Sequence, residues 1–455
     1  MRIAVINGSP KGKNSITLQT SIYLSKKFTE HEFRILNAAQ LIKLLEKDFS
    51  RAEEILEWAE IVVFSYPVYT FLAPYGMHKF IELLKASGID LSGKWATQIS
   101  TSKHFYDITA AAYIEDNIAD LGMRYVNGLL ADMDDLLTER GREEAVGFFK
   151  YLVSMVESGV EDRIVRHRSG GTHTPKLATI PTEAKPGCEK DIVIITDGDQ
   201  TDTSLGRMIA RFQANIGYKT RIVDISKLGL LGGCIGCFAC AVSSKCVYPD
   251  GFDSYLRESI QTADAIVYAF SIKDHSMGPL FKMYDDRNFC NGHRTVTVGM
   301  PIGYLISGDY SEEDNLRTVV EARASVGHNF LAGVATDEDD PDGTVDALCA
   351  RISYAFSEGY VPPQSFYGVG GLKIFRDLIY EMRGMMRADH KFYKKNGFYD
   401  FPQKKWARSY MMYLVGFLLG NEKLRRKIKG KMNEGMLMPY VKLFRREFGE
   451  DKKQK

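Results

Sequence analysis

The residues Arg2-Ile3-Ala4-Val5-Ile6-Asn7-Gly8-Ser9-Pro10-Lys11-Gly12-Lys13-Asn14-Ser15-Ile16-Thr17 decide how the rest of the chain is read. An apolar run over 2–8 ends in a glycine loop, and a helical pattern follows from about Ser15 to Phe28. Strand, loop and helix in that order predict a parallel βα unit with its loop at the strand's carboxyl end. Further strand-like runs fall at 33–37, 60–66, 95–100 and 124–131, with amphipathic stretches near 39–58, 72–87, 107–121 and 140–157 between them. Strands alternating with helices over this length predict one doubly wound, parallel five-stranded sheet.

Residues 168–190 are rich in Gly, Thr, Pro and Lys and read as a linker. The alternation then restarts, with strand-like runs at 191–196, 220–225, 265–271, 294–300 and 328–335, so the second half repeats the first as an internal duplication. From Val361 long helical patterns take over, as in 372–387, where Leu372, Phe375, Leu378, Ile379 and Met382 recur at helical spacing. The expected organisation is a first sheet domain over 1–160, a linker over 161–190, a second sheet domain over 191–360 and a basic α-helical tail over 361–455. The fold class is therefore α/β, two sheets in tandem with a C-terminal helical extension.

The chain has 455 residues, 59 Lys+Arg, 58 Asp+Glu and 45% hydrophobic residues, which excludes a disordered chain, a collagen-like repeat and a disulfide miniprotein. Its net charge of +1 conceals a split. Residues 361–455 carry 22 basic and nine acidic residues, net +13, leaving −12 on residues 1–360. Four of the seven cysteines crowd into residues 234–246, which points to metal ligation in a reducing compartment. Met1-Arg2 leads straight into a strand, so no secretory leader is expected. The longest apolar run, Tyr410–Leu419, is about half a bilayer span. A cytoplasmic protein without a transmembrane segment is the expectation.

The loop after the first strand has the chemistry of a phosphate cradle. A helix N-terminus offers free N–H groups and a positive dipole end. Ser9, Asn14, Ser15 and Thr17 add donors, and Lys11 or Lys13 adds charge. The glycine spacing fits neither the dinucleotide nor the P-loop fingerprint. Taken alone, the loop also suits a capped helix after a tight turn. A second feature narrows the choice: Tyr66-Pro67-Val68-Tyr69 follows the third strand, with Pro74 and Lys79 beyond it. In an open α/β sheet the loops after strands one and three meet where the strand order reverses. A donor loop beside a tyrosine-rich loop there suits flavin mononucleotide (FMN), with its ring against aromatics.

The segments GSPKGKNS and SYPVY and the spacing P-x4-K resemble the NADPH-dependent FMN reductase branch of the flavodoxin-like superfamily across residues 1–160. The resemblance implies that Ser9, Lys11, Asn14 and Ser15, with Thr17, hold the phosphate. It implies that Pro67, Val68 and Tyr69 border the isoalloxazine, with Tyr66 of the same tyrosine-rich loop also expected to bind the cofactor, and that the fourth-strand loop, Ser100-Thr101-Ser102-Lys103-His104, closes the other side. His104 would donate near the flavin O2; a surface histidine without that role is the alternative.

In the second half, Cys234, Cys237, Cys240 and Cys246 follow C-x2-C-x2-C-x5-C in a glycine-rich loop. Four thiolates in one short loop fit a [4Fe–4S] cluster, whereas structural zinc ligands fall into two separated pairs. Zinc and redox-active thiols remain the other readings. The motif resembles that of iron–sulfur flavoproteins, and Pro279, Lys282 and Asp286-Arg287 match the segment after their third strand. The loop Thr196–Ser204 departs from that pattern, because its three carboxylates would repel a phosphate. Ser271-Ile272-Lys273 also replaces the aromatic loop. The second domain is thus expected to lack a flavin site, leaving one flavin and one cluster facing each other within or between chains. Cys188, Cys290 and Cys349 read as buried apolar thiols, and Asp337–Gly343 as an acidic turn that starts a helix.

Together these residues predict an FMN-dependent oxidoreductase that accepts electrons from NAD(P)H or a carrier and passes them on through a cluster. Its partners would be small-molecule or protein donors and acceptors, and a homo-oligomer is expected. No side chain is singled out as an acid or base, because binding the phosphate and covering the ring suffice. The second reading is a non-catalytic electron-transfer or redox-sensing module docking a partner or membrane surface through the basic tail. No nucleic-acid recognition motif accompanies the charge.

Overall fold

The computed structural model describes residues 1–162, 173–422 and 431–449. The first sheet contains β1 (Arg2–Asn7), β2 (Glu32–Leu36), β3 (Ile61–Pro67), β4 (Trp95–Ser102), β5 (Arg124–Tyr125) and β6 (Leu129–Asp132). All its pairings are parallel, in the order β2-β1-β3-β4-β5, with β6 also on β4. Apolar runs such as IAVI in β1 and IVVF in β3 are buried on both faces, as parallel strands between helical layers must be. Helices α1 (Ile16–Lys27), α2 (Ala38–Leu45), α3 (Ser50–Trp58), α4 (Tyr75–Ser87), α5 (Asp107–Asp120) and α6 (Glu139–Ser158) cover them. This is the flavodoxin-like, doubly wound order. The fifth strand position, read as one run, is broken in two. Gly128 packs so tightly on the Gln98 carbonyl that a Cβ there would collide, and the pairing with β4 shifts by one residue between β5 and β6.

The second sheet repeats the arrangement with β7 (Cys188–Thr196), β8 (Tyr218–Asp224), β9 (Ala265–Ser271), β10 (Pro301–Ser307) and β11 (Phe330–Thr336), in the order β8-β7-β9-β10-β11. Its helices are α7 (Ser204–Asn215), α8 (Ala239–Ser243), α9 (Phe252–Tyr255), α10 (Gly278–Arg287), α11 (Asp314–Val326) and α12 (Pro341–Glu358). The strand expected at 294–300 lies seven residues later. Arg294 is held by Asp389 at 2.6 Å, and Asn329 donates to the Thr297 and Met300 carbonyls, so this segment is a pinned loop. The buried Ile302, Tyr304, Leu305 and Ile306 form the strand instead. Asp340 caps α12 through Gly343 N (2.9 Å), as the acidic turn predicts. Cys290 and Cys349 are buried, but Cys188, beside a register break, is exposed.

The two sheets share one apolar cluster running from Ala4 to Val326. Helix α4 packs on α10 and α5 on α11, so the helices after the third and fourth strands of each sheet meet face to face. The helical extension divides. Helix α13 (Phe366–Glu381) packs on α11, with Phe375 stacked on Phe105 at 4.2 Å, and α14 (Arg387–Lys395) delivers Asp389 to Arg294. Met1–Tyr393 is one compact unit and Lys394–Lys455 another. The second unit contains α15 (Trp406–Gly420) and α16 (Lys431–Phe448); most of the basic run 423–431 lies outside the described residues. No helix among the described residues is long and apolar enough to cross a membrane.

Candidate functional site

The site begins at the carboxyl end of β1. Asn7 is fully buried; its Nδ2 donates to the Gly12 carbonyl (3.0 Å) and its Oδ1 accepts from Ser9 N (3.1 Å). Gly12, at φ +52°, closes the turn beside Gln40 in the left-handed conformation that favours glycine. Ser15 caps α1 by accepting from Leu18 N, and no acidic residue stands in that helix's first turn. Ser9, Ser15 and Thr17 are buried around this helix start, and Thr17 Oγ1 meets Thr101 Oγ1 at 2.5 Å. The loops after β1 and β4 therefore converge.

The loop after β3 joins them, since Val68 N donates to the Thr101 carbonyl at 3.2 Å. Tyr69 and Leu72 exchange backbone hydrogen bonds around Thr70 and Phe71, both at positive φ. Tyr66 does not belong to the site: its ring is fully buried, and its hydroxyl donates to Gln98 Oε1 (2.5 Å). Strand alternation turns it into the core, which its place in the tyrosine motif concealed. Ser100 and Ser102 are buried at the end of β4. His104 sits at φ +57°, its Nδ1 2.7 Å from Asp107 Oδ2, with half of its side chain exposed. Lys11 and Asn14 lie at the loop's rim. Buried hydroxyls around a carboxylate-free helix start fit a phosphate, and the buried Ser65 hydroxyl at the end of β3 has no partner of its own.

The second sheet's corresponding end is occupied by its own side chains. Asp337, fully buried, accepts from Ser204 (2.7 Å) at the start of α7, from Ser307 (2.6 Å) and from Gly308 N (3.0 Å), and pairs with His173 at 2.9 Å. Lys273 pairs with Asp197 at 3.1 Å. A carboxylate already occupies the place where a phosphate would meet the helix.

The cysteine loop lies directly against the first domain's loops. Lys11 Nζ stands 5.7 Å over the Phe238 ring, and Tyr69 meets Phe289 edge-on at 5.8 Å. Gly236, at φ +63°, lies so close to Tyr69 Oη and Lys11 that any side chain would collide. Burial, with the neighbouring Cys234, Asp286 and Cys237, pushes the Tyr69 hydroxyl far above its ordinary range. Cys234, Cys237, Cys240 and Cys246 line one cavity, and Cys290 lines it too, a residue that no spacing rule could connect to them.

Arg287 is almost completely buried at the cavity's base. It pairs with Asp250 at 2.7 and 2.8 Å, stacks on Tyr248 and places Nη2 3.8 Å from Cys246 Sγ. Gly236 N donates to Cys234 Sγ at 3.4 Å. Burial pushes the Cys234 and Cys290 thiols up to about 12. Among the described residues no three His, Cys, Asp or Glu side chains converge closely enough to hold a metal ion. The donor set, four thiols with an N–H bond and a buried cation, still fits a sulfide cluster chemically.

Lys282 joins the two halves. It is fully buried in α10, and its Nζ reaches Asp286 (2.5 Å), the Tyr69 carbonyl (2.8 Å) and Thr70 Oγ1 (2.9 Å). Asp286 Oδ2 accepts from Tyr75 N at 2.8 Å. The second domain thus holds the first domain's aromatic loop from behind.

Residues 1–133 match the family described as NADPH-dependent FMN reductase. An iron–sulfur flavoprotein of Archaeoglobus fulgidus is 25% identical over 195 residues, covering 40% of this chain and 87% of that protein. Among solved structures, general stress protein 14 of Treponema denticola in complex with FMN is 12% identical, covering 34% of this chain and 98% of that one, with a TM-score of 0.28. The NAD(P)H:quinone oxidoreductase of Methanothermobacter marburgensis is 12% identical, covering 37% and 99%, with a TM-score of 0.27.

Proposed function

We propose, from the premise that the N-terminal domain of this flavin-dependent oxidoreductase belongs to the NADPH-dependent FMN reductase family, that the whole chain moves electrons between one FMN and one [4Fe–4S] cluster. The observation that carries this reading is the contact of the cysteine loop, through Gly236 and Phe238, with Tyr69 and Lys11. The family supplies the expectation of a nicotinamide donor. The iron–sulfur flavoprotein relative, 25% identical over 195 residues, supports the cluster.

In this reading FMN supplies hydride acceptance and one-electron release when bound. The protein's own residues do the rest. Ser9, Lys11, Asn14, Ser15 and Thr17 hold the phosphate against the start of α1. Pro67, Val68 and Tyr69 border the ring, and Ser100, Thr101, Ser102 and His104 close its other side. His104 Nδ1 is occupied by Asp107, so Nε2 is the ring nitrogen that would serve the flavin. Cys234, Cys237, Cys240 and Cys246 would ligate the cluster, with Arg287 offsetting its negative charge. The blocked helix start of the second domain supports one flavin per chain.

An anaerobic absorption spectrum with iron and sulfide analysis tests this reading. Expected are about one flavin and about four irons per chain, with Cys234→Ser losing the iron and keeping the flavin. Flavin without iron in the wild-type protein, purified anaerobically, would overturn the cluster.

A further inference from the structure

The C-terminal unit exposes apolar surface of a kind that water does not favour. On α15, all nine large apolar side chains described between Trp406 and Leu418 are exposed. Four of them, Trp406, Tyr410, Tyr413 and Phe417, recur at i, i+4, i+7 and i+11 and so share one helix face. Each of the four is at least 75% exposed. On α16, Leu437, Val441, Phe444 and Phe448 repeat the same spacing and are also exposed, while Lys442 and Arg446 fall on the other side.

The charge around these stripes has one sign. Helix α15 contains no acidic residue and follows Lys404-Lys405, and five of the eight residues 423–430 are basic. Residues 394–455 carry 17 basic and six acidic residues, a net of +11. A groove of about 490 Å³ lies beside the aromatic stripe, lined by Pro402, Lys405, Arg408, Ser409, Met412 and Tyr413. Lys405 also pairs with Asp400 at 2.8 Å. Two cations and a hydroxyl next to apolar side chains suit a lipid phosphate whose chains lie along the helix.

From these observations we infer that the unit 394–455 binds an anionic lipid surface, with α15 and α16 lying in the plane of the membrane interface. Tryptophan and tyrosine favour that depth, where one end of the side chain is apolar and the other wet. No helix among the described residues is long and apolar enough to cross a membrane, and the attachment we infer is a peripheral one. A second copy of the same C-terminal unit is a poorer occupant for the stripes, since it would set one net +11 unit against another. The inference stands apart from the cofactor assignment, because it uses none of the residues assigned to the flavin or the cluster.

Vesicle flotation with the full chain tests it. The protein should float with vesicles of phosphatidylcholine containing about 30% phosphatidylserine and stay behind with phosphatidylcholine alone; raised salt should weaken binding roughly tenfold or more. Tyr413→Glu with Phe417→Glu should abolish flotation on anionic vesicles. Unchanged thermal unfolding of the body in that variant would show that the effect is local. Three results would overturn the inference: no flotation on anionic vesicles, equal flotation of the double variant, or a concentration-dependent dimer lost in that variant without vesicle binding. The last would assign the stripes to a second copy.

Discussion

Lys282 shows how much one buried charge can govern. Its ammonium neutralises Asp286, whose carboxyl burial would otherwise lift further and which stands at about 6, and it also holds the Tyr69 carbonyl. Lys282→Met would leave Asp286 buried without its partner, a change that costs about 3–5 kcal/mol. Thermal unfolding should fall accordingly, and flavin should bind more weakly because the Tyr69 turn loses its support; equilibrium dialysis of FMN reads the second effect. Ser15→Ala is a milder test at the helix start. It removes the cap on α1 at about 1 kcal/mol and a candidate phosphate donor. FMN affinity should drop by more than the melting temperature suggests.

At the scale of elements, the turns after the third strands of the two sheets are twins. Lys273 and Ser276 exchange the same pair of hydrogen bonds as Tyr69 and Leu72, around Asp274 and His275 at positive φ. The second turn is used for docking. Burial alone would lower the His275 pKa, but Asp120 at the end of α5 and Glu313 before α11 raise it to about 9. The folded protein therefore favours the imidazolium. The resulting stability is complete below about pH 6.5 and is lost as pH rises through 9. Calorimetry should show a lower melting temperature near pH 10 than near pH 7, with the difference reduced in His275→Gln.

This scale also separates what the sequence revealed from what it concealed. Apolar runs such as Ala265–Ser271 could be read to the residue, because buried parallel strands leave little choice of composition. The segment 294–300 misled, since β-branched alternation does not reveal a loop pinned by Asp389, ninety-five residues away. The loop after β1 was legible as a strand-to-helix turn that gathers hydroxyls at a helix start. Asn7, Lys282 and Cys290 were not, because each owes its position to a partner brought in by the fold. Tyr66 shows the opposite error, a motif residue whose ring the pleat turns inward.

In the whole molecule the first 393 residues form one compact unit that includes α13 and the greater part of α14. A chain ending at Tyr393 should keep its flavin content and melting behaviour. One ending at Gln364 should melt lower, because Phe105 and Val326 lose their cover from Gly371 and Phe375. If flavin and cluster face each other as proposed, electrons should pass between them at a rate independent of protein concentration. Stopped-flow reduction at several dilutions reads this directly, and a rate proportional to concentration would mean that the exchange runs between chains.

The packing of α4 and α5 on α10 and α11 also predicts that the halves can associate without covalent continuity. Residues 1–162 and 173–455, expressed as separate polypeptides, should find each other and purify together. What the peptide link adds is equal numbers: neither half can be made without the other.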